Sequence, residues 1–303
     1  MGLGKIGMEY DYNFSSEKFV LSHAQALSLH PKFDLIGGVD NDLKKLKKFK
    51  RKFKLPTYKN LKEAFKYKKP DLVIISVPTK NHYDIFLNIV KLKFNKIILF
   101  EKPIGENYVE AKKIIRKSRN SNIKIAVNYI RQYQHDIIGI IKKLKKNELK
   151  EINVRYNRGL INNCSHFINL LSSIFGKVKS IKLLSEKKIK EAKLYNANFI
   201  LYFKKIKANF FFVKNKKNNI GEISFISKNQ KLTFRSGFNK VIIENIKTKS
   251  KKIIFTNMYK YQFHVYDSIY KSVSKNKNLL CNGNSALRTF KILNKIEKKF
   301  DEK

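Results

Sequence analysis

Lys102 follows four consecutive apolar residues, Ile97-Ile98-Leu99-Phe100, and stands between Glu101 and Pro103. Four apolar residues in a row read as a strand buried on both faces, of the kind found in parallel sheets. A carboxylate and an amine at the end of such a strand are not demanded by packing. In open α/β sheets the crevice outside the carboxyl ends of the strands is where ligands bind. The competing reading is a solvated lysine, or an ion pair with Glu101, in a chain rich in lysine. A second motif is Gly2-Leu3-Gly4-Lys5-Ile6-Gly7, a G-x-G-x-x-G. Its physical meaning is a tight turn, a backbone bare enough to approach a pyrophosphate, and close packing of helix on strand. Alone it is a weak signal. Asp40, at the end of the short apolar run 35–39, supplies an acid of the type that binds both hydroxyls of an adenosine ribose, the NAD preference. The alternative for Asp40 is a turn residue before Asn41, and the nearby Lys44 and Lys45 leave NADP open.

These motifs need a sheet to carry them, and the chain writes one. Helices are expected over 19–29, 43–53, 83–92 and 108–118, alternating with strands over 35–39, 71–77, 97–100 and 123–127. This is the pattern of a parallel α/β sheet with a Rossmann-like, doubly wound order. The glycine motif should follow a strand, yet only Met1 precedes it, so the expectation is that the first strand is missing and the true N-terminus lies upstream. A polar segment over 9–18 lengthens the spacing from Gly7 to Asp40. Past Asn128 the grammar changes. A helix is expected over 137–149, a strand over 152–156, and a helix over 166–175. Strands follow at 181–184, 197–203, 209–213, 222–227, 231–235, 241–245 and 253–255, with a turn over 214–219, and helices over 262–274 and 285–300 close the chain. The C-terminal part therefore reads as an open, mainly antiparallel sheet. Two domains are expected, 1–129 and 130–303.

Composition excludes several classes. Of 303 residues, 66 are Lys or Arg and 23 Asp or Glu, a net charge of +43. Such an excess points to nucleic acid, but only eight of the 66 are Arg, the residue whose planar fork reads bases and phosphates, and the lysines are spread along the whole chain. Abundant Lys, Asn, Ile, Phe and Tyr without Trp fit an A+T-rich coding bias instead. Cys164 and Cys281 make neither a metal-ligand spacing nor a disulfide framework, so no metal and a reducing cytoplasm are expected. No apolar run has the length of a membrane span. Met1-Gly2 lacks the Ser or Thr of a myristoylation site, Ile6 standing there.

Together the glycine loop, Asp40, Pro78-Thr79-Lys80-Asn81-His82, Glu101-Lys102-Pro103, Asn128-Tyr129 and the segment from Gly159 to His166 resemble the glucose–fructose oxidoreductase/inositol dehydrogenase/rhizopine-catabolism (Gfo/Idh/MocA) oxidoreductases. Glu-Lys-Pro after a buried strand is the most specific of these pieces. The resemblance implies a dinucleotide-binding domain bearing NAD, a C-terminal α/β domain whose open sheet face makes dimers or tetramers, and hydride transfer to or from a sugar or cyclitol carbon. It makes Lys102 the catalytic-site lysine and His166 the general acid/base. Pro78, Thr79, His82 and Glu101 join Gly2, Gly4, Gly7, Asp40 and Lys102 around the cofactor, and Asn128, Arg131, Arg158 and Asn162 face substrate.

The chemistry is sound on its own terms. Alcohol oxidation needs a base for the hydroxyl proton, and His titrates near neutral pH. An ammonium beside the reacting oxygen stabilises alkoxide charge. Many members carry Asp four residues before the His; here Asn162 stands there, and Asn169 replaces a further Asp of inositol-type members. The loop is closer to a branch associated with bacterial surface-polysaccharide and sugar-nucleotide gene sets. For each residue a plain alternative exists: a helix-start histidine for His166, a turn residue for Asn128, solvated side chains for Arg131 and Arg158, a loop-capping role for His82. The expected function is an NAD(P)-dependent oxidoreductase acting on CH–OH of a sugar or sugar nucleotide. The alternative is a dinucleotide-binding regulator or assembly partner with little turnover.

Overall fold

The computed structural model describes residues 1–302 except 17, 145–147, 186–188, 192–193 and 216–217. Part of the helix expected over 137–149 and of the turn expected over 214–219 lies outside the described residues. The chain divides into two compact units. One combines 1–133 with 259–287, and the other combines 134–258 with 288–303. The return of 259–287 to the first unit is not contained in a single split after Tyr129.

The first unit is built from parallel strands. β1 (Gly38–Val39) pairs with β2 (Thr57–Tyr58). β3 (Leu72–Ile75), β4 (Ile97–Phe100) and β5 (Lys124–Val127) form a second parallel sheet with β4 in the middle. Ile98, Leu99 and Phe100 are fully buried, which is why β4 could be written with no polar residue. The two sheets are not one continuous ladder. Met1 and Gly2 bridge them: the Met1 amine donates to Ile74 O (2.9 Å), Ser76 N donates to Met1 O (2.9 Å), and Gly2 N donates to Val39 O (2.8 Å).

Helices follow the strands as expected, with caps that the sequence writes clearly. α2 (Leu43–Phe53) begins at Asp42, whose carboxylate accepts from Lys44 N and Lys45 N, and buries Leu46 and Phe49. α4 (His82–Lys91) follows β3 and α5 (Tyr108–Asn120) follows β4, α5 being capped by Asn107. A short helix, α3 (Leu61–Tyr67), was not expected, although Asn60 and Glu63 form a capping box: Glu63 N donates to Asn60 Oδ1 and Lys59 N to Glu63 Oε2. β2 was missed too, being only two residues long.

α1 (His23–Leu29) is shorter than expected and begins in an unusual way. Its first amides donate backwards across residues 8–20, His23 N to Ile6 O (2.9 Å) and Ala24 N to Gly7 O (3.0 Å). The helix thus continues from the glycine loop as if residues 8–20 had been looped out of its first turn. Buried Asp11 closes the loop. Its carboxylate accepts from Leu21 N (2.6 Å), Ser22 N (2.9 Å) and the Ser22 hydroxyl. α8 (Tyr261–Ser274) completes the unit beside α1, tied by Gln262 N to Val20 O (3.3 Å) and Val20 N to Tyr259 O (2.7 Å).

The second unit is organised on an eight-stranded sheet. In chain order its strands are β6 (Leu149–Tyr156), β7 (Ser180–Leu183), β10 (Phe199–Tyr202), β11 (Lys207–Phe212), β12 (Gly221–Ser227), β13 (Gln230–Arg235), β14 (Lys240–Asn245) and β15 (Lys251–Phe255). Their spatial order is β15-β14-β13-β12-β6-β11-β10-β7, and every pair but β11 with β6 is antiparallel. A small hairpin, β8 (Ile189–Glu191) with β9 (Leu194–Asn196), was not expected. Register places Phe199, Phe210, Val154, Ile223, Phe234 and Val241 in one row, all fully buried. The neighbouring row on the other face, Phe211, Arg155, Glu222, Arg235, Lys240 and Phe255, is polar with exposed aromatics at its ends. This period-two alternation is the signature of a sheet with one core face. α6 (His135–Lys142) and α7 (Ser165–Phe175) belong to this unit, and α9 (Gly283–Asp301) starts in the first unit and ends in the second.

Replacing Asp11 by Ala would orphan two backbone amides and a hydroxyl at the base of the 8–20 loop. The expected cost is about 2–4 kcal/mol, read as a lower denaturation midpoint with unchanged slope in urea.

Candidate dinucleotide and active site

The glycine loop is shaped by close backbone packing. Gly2 adopts φ +91°, and a Cβ there would lie 2.7 Å from the Ser76 and Val77 backbone. A Cβ on Gly7 would collide with Gly2 O at 2.0 Å. Gly4 is different, since a Cβ on it would meet no protein atom within 4 Å. Protein packing therefore does not require glycine at 4, whereas close approach by a ligand does. Among the described residues, the amides of Gly4, Lys5, Ile6 and Gly7 donate to no protein acceptor. A run of outward amides at the start of a helical turn is a cradle for phosphate oxygens. Ser76, at the end of β3, anchors the loop by donating its hydroxyl to Gly2 O (2.8 Å) and Met1 O (3.0 Å).

Asp40 ties the second strand to the same loop. Its Oδ2 accepts from Leu3 N (2.7 Å), its Oδ1 from Asp42 N (2.9 Å), and Lys45 Nζ stands 3.9 Å away. A cavity of about 690 Å³ opens beside it, lined among others by Gly2, Gly4, Tyr10, Asp40, Val77 and Pro78. Gly7, Thr79, His82, Glu101 and Lys102 are not among its walls. His82 lies beneath, fully buried, with its Nε2 3.0 Å from Val77 O and its ring against the backbone of Pro103 and Ile104. Burial holds its pKa below the ordinary histidine value. It thus fastens the turn after β3 to the loop after β4.

Around Glu101 the first unit gathers a buried polar cluster. Glu101 Oε1 receives Asn128 Nδ2 (2.5 Å) and stands 2.9 Å from His23 Nε2. Oε2 accepts from Lys102 N (3.3 Å). His23 Nδ1 is 2.7 Å from the Tyr266 hydroxyl, and Gln262 Nε2 lies 3.0 and 3.2 Å from the two ring nitrogens. Gln262 Oε1 accepts from Asn128 Nδ2 (3.1 Å), closing the network. Burial alone would raise the Glu101 pKa. The hydrogen bond and charge of His23, the Asn128 amide and the Lys102 charge outweigh it and hold the carboxyl below its ordinary value. Lys102 moves the other way for its type. Burial lowers it to about 8, opposed by Glu101 and reinforced by the Arg131 charge. A lysine so placed is partly neutral just above neutral pH, which suits it to exchange a proton. The peptide between Lys102 and Pro103 is cis.

Sequence reasoning named Glu101, Lys102, Asn128 and Arg131, and all four meet in this unit. It missed His23, Gln262 and Tyr266, which come from α1 and α8. The remaining candidates lie on one segment of the second unit. Arg158 is exposed with φ +61°, Asn162 is exposed on the π-helical turn Leu160–Cys164, and His166 is the buried second residue of α7. Asn169, one turn further on, is buried and donates to Thr289 Oγ1 (3.0 Å). Among the described residues no group of three or more His, Cys, Asp or Glu could hold a metal ion, and no helix is long and apolar enough to cross a membrane.

Residues 17–129 match the sequence profile of GFO_IDH_MocA, described as an oxidoreductase family with an NAD-binding Rossmann fold. These residues match the NAD-binding Rossmann domain of the Gfo/Idh/MocA oxidoreductases, and NAD is the cofactor of that domain. The match starts after the glycine loop and after most of the 8–20 insertion. The fold is shared over nearly the whole length with solved structures of low identity. The WlbA dehydrogenase of Bordetella pertussis, in complex with NADH and UDP-GlcNAcA, is 13% identical, with 99% of this chain and 94% of that one covered at a TM-score of 0.75. The dehydrogenase MviM of Clostridium difficile is 14% identical over 91% and 94%, TM-score 0.78. UDP-N-acetylglucosamine 3-dehydrogenase GnnA of Acidithiobacillus ferrooxidans is 12% identical over 89% and 90%, TM-score 0.74. No curated protein sequence matches.

Two outcomes are expected of this site. Gly4→Ala should melt like the wild type yet bind NADH at least about tenfold more weakly by fluorescence titration, whereas Gly2→Ala should lose the cooperative transition. The rate of Lys102 acetylation by dilute acetic anhydride, read by peptide mass spectrometry, should rise with a midpoint near pH 8. Exposed lysines should show theirs near about 10.4. Because the Glu101 charge supports the Lys102 cation, Glu101→Gln should move that midpoint down.

Proposed function

We propose that this protein is an NAD-dependent oxidoreductase acting on a CH–OH carbon of a sugar or sugar nucleotide, in the supply of surface-polysaccharide precursors. The observation that carries the reading is Lys102, a half-buried lysine with its pKa depressed to about 8, at the end of a central parallel strand beside a carboxylate that is itself largely shielded from solvent. NAD, when bound, supplies hydride transfer; the chain's own residues hold it and handle the proton. The amides from Gly4 to Gly7 face its phosphates, and Asp40 faces the adenosine ribose. Lys102 stabilises negative charge on the reacting oxygen, and His166 exchanges the hydroxyl proton. Asn128, Arg131, Arg158 and Asn162 orient substrate. The sugar-nucleotide class is supported by the shared fold with WlbA, solved in complex with UDP-GlcNAcA, and with GnnA, a UDP-N-acetylglucosamine 3-dehydrogenase.

One observation favours a second reading. Asn162 cannot carry charge, so the carboxylate that many members place before the His is lacking here, and a dinucleotide-binding partner with little turnover is the alternative. Steady-state assays with NAD and NADH against a panel of UDP-sugars decide between them. Turnover that falls about 100-fold or more in Lys102→Ala and in His166→Ala supports the enzyme. NADH binding without turnover on any member supports the alternative, and unchanged rates in both variants overturn the residue roles.

The outer face of the C-terminal sheet, with Phe211, Ile253 and Phe255 exposed at 39%, 48% and 77%, is assigned to a second copy of the chain. Phe211→Lys with Ile253→Lys should shift the size-exclusion mass downward; an already monomeric wild type overturns that assignment.

A further inference from the structure

A buried imidazole at the start of α1 is not needed for packing, because an apolar side chain would fill the same space. Yet both His23 nitrogens are engaged. Nε2 stands 2.9 Å from Glu101 Oε1 and Nδ1 2.7 Å from the Tyr266 hydroxyl, with the ring 3% exposed. Glu101 and Lys102 are consecutive, so whatever fixes the carboxylate also fixes the charge beside the amine. The side chains donating to Oε1 are His23 and Asn128, one from α1 and one from the end of β5. The other groups that feel the Glu101 charge are His82 of α4, Tyr133 in the turn after β5, and Tyr261 and Tyr266 of α8. Burial pushes the three phenols up, so they remain neutral, and His82 is kept low by burial. Arg131 faces Lys102. His23 therefore makes the larger contribution, with Asn128 the smaller, to balancing the burial of Glu101.

We propose that His23 is a positioning residue: donating from Nε2 and steadied by Tyr266 and Gln262, it holds Glu101 as the anion beside the Lys102 amine. It also joins the helix that follows the glycine loop to the active-site strand end through a side chain. The proposal rests on the reading of Lys102 as the active-site amine. Without the His23 donor, burial has only the Asn128 amide, the weak Lys102 N–H bond and the Lys102 charge against it, Glu101 takes up a proton more readily, and Lys102 loses its anionic neighbour.

The pH dependence of Lys102 acetylation in the full chain tests this without any substrate. His23→Leu should move the Lys102 midpoint down toward that of Glu101→Gln, by on the order of one pH unit. His23→Gln, whose amide still donates, should keep the wild-type midpoint, and Tyr266→Phe should move it less than His23→Leu. If His23→Leu does not melt cooperatively, His23→Asn, too short to reach Glu101, carries the same expectation. A cooperatively melting His23→Leu or His23→Asn variant with the wild-type midpoint overturns the proposal, because a purely structural histidine would lower the melting temperature and leave Lys102 alone. NADH binding by the wild type is measured beside it. Its absence would sink the functional reading while a shifted midpoint still upheld His23; binding with an unmoved midpoint would sink His23 alone.

Discussion

The first unit depends on one largely shielded carboxylate. Glu101, its side chain 14% exposed, is mostly removed from water at the end of a strand with no polar residue of its own, and an ionised carboxylate in such a place is costly unless it is bonded and paired. The cost is offset by His23 and Asn128, and through them by Gln262 and Tyr266. These partners come from α1, the end of β5 and α8, so satisfying one side chain constrains three elements of the unit at once. Lys102 inherits its depressed pKa from the same burial.

The other end of the unit is governed by backbone rather than by charge. Gly2 and Gly7 are dictated by contacts within the loop itself, Gly4 by none. Asp40 and Ser76 hold the loop from the two flanking strand ends. Loop amides left without protein acceptors carry a cost in an unoccupied interior but not beside a cavity that admits solvent or phosphate. The looped-out residues 8–20 show how tolerant this arrangement is. The helix resumes its hydrogen bonding to Ile6 and Gly7 on the far side of the insertion, and Asp11 seals the junction.

The second unit is simpler in its physics. Alternation along each strand puts one apolar row into the core and one polar row outward, and antiparallel register carries both rows across the sheet. Arg155 and Arg235 flank Glu222 on the outer row at 3.4 and 3.6 Å, pairs that contribute little by themselves at this exposure.

Much of this was legible in order of sequence. β4, α2 and the start of α5 fall on the expected residues because buried strands and amphipathic helices carry their period in their own composition, and caps such as Asp42 and Asn107 are local. Glu101, Lys102, Asp40 and the glycines were legible because strand ends and tight turns have short-range signatures. The family resemblance rested on these pieces, and the match over 17–129 agrees with it. His23, Gln262 and Tyr266 were not legible: nothing near His23 in the chain distinguishes a helix-start histidine from the partner of a carboxylate at position 101. The return of 259–287 to the first unit was equally hidden, since α8 has the same amphipathic period whichever unit it covers. The sequence by itself determined the element types, the two kinds of sheet and the chemistry at the strand ends, all of which rest on neighbours within a few residues. Only the tertiary structure decided which distant side chains satisfy Glu101, because a buried charge selects its partners by distance in space.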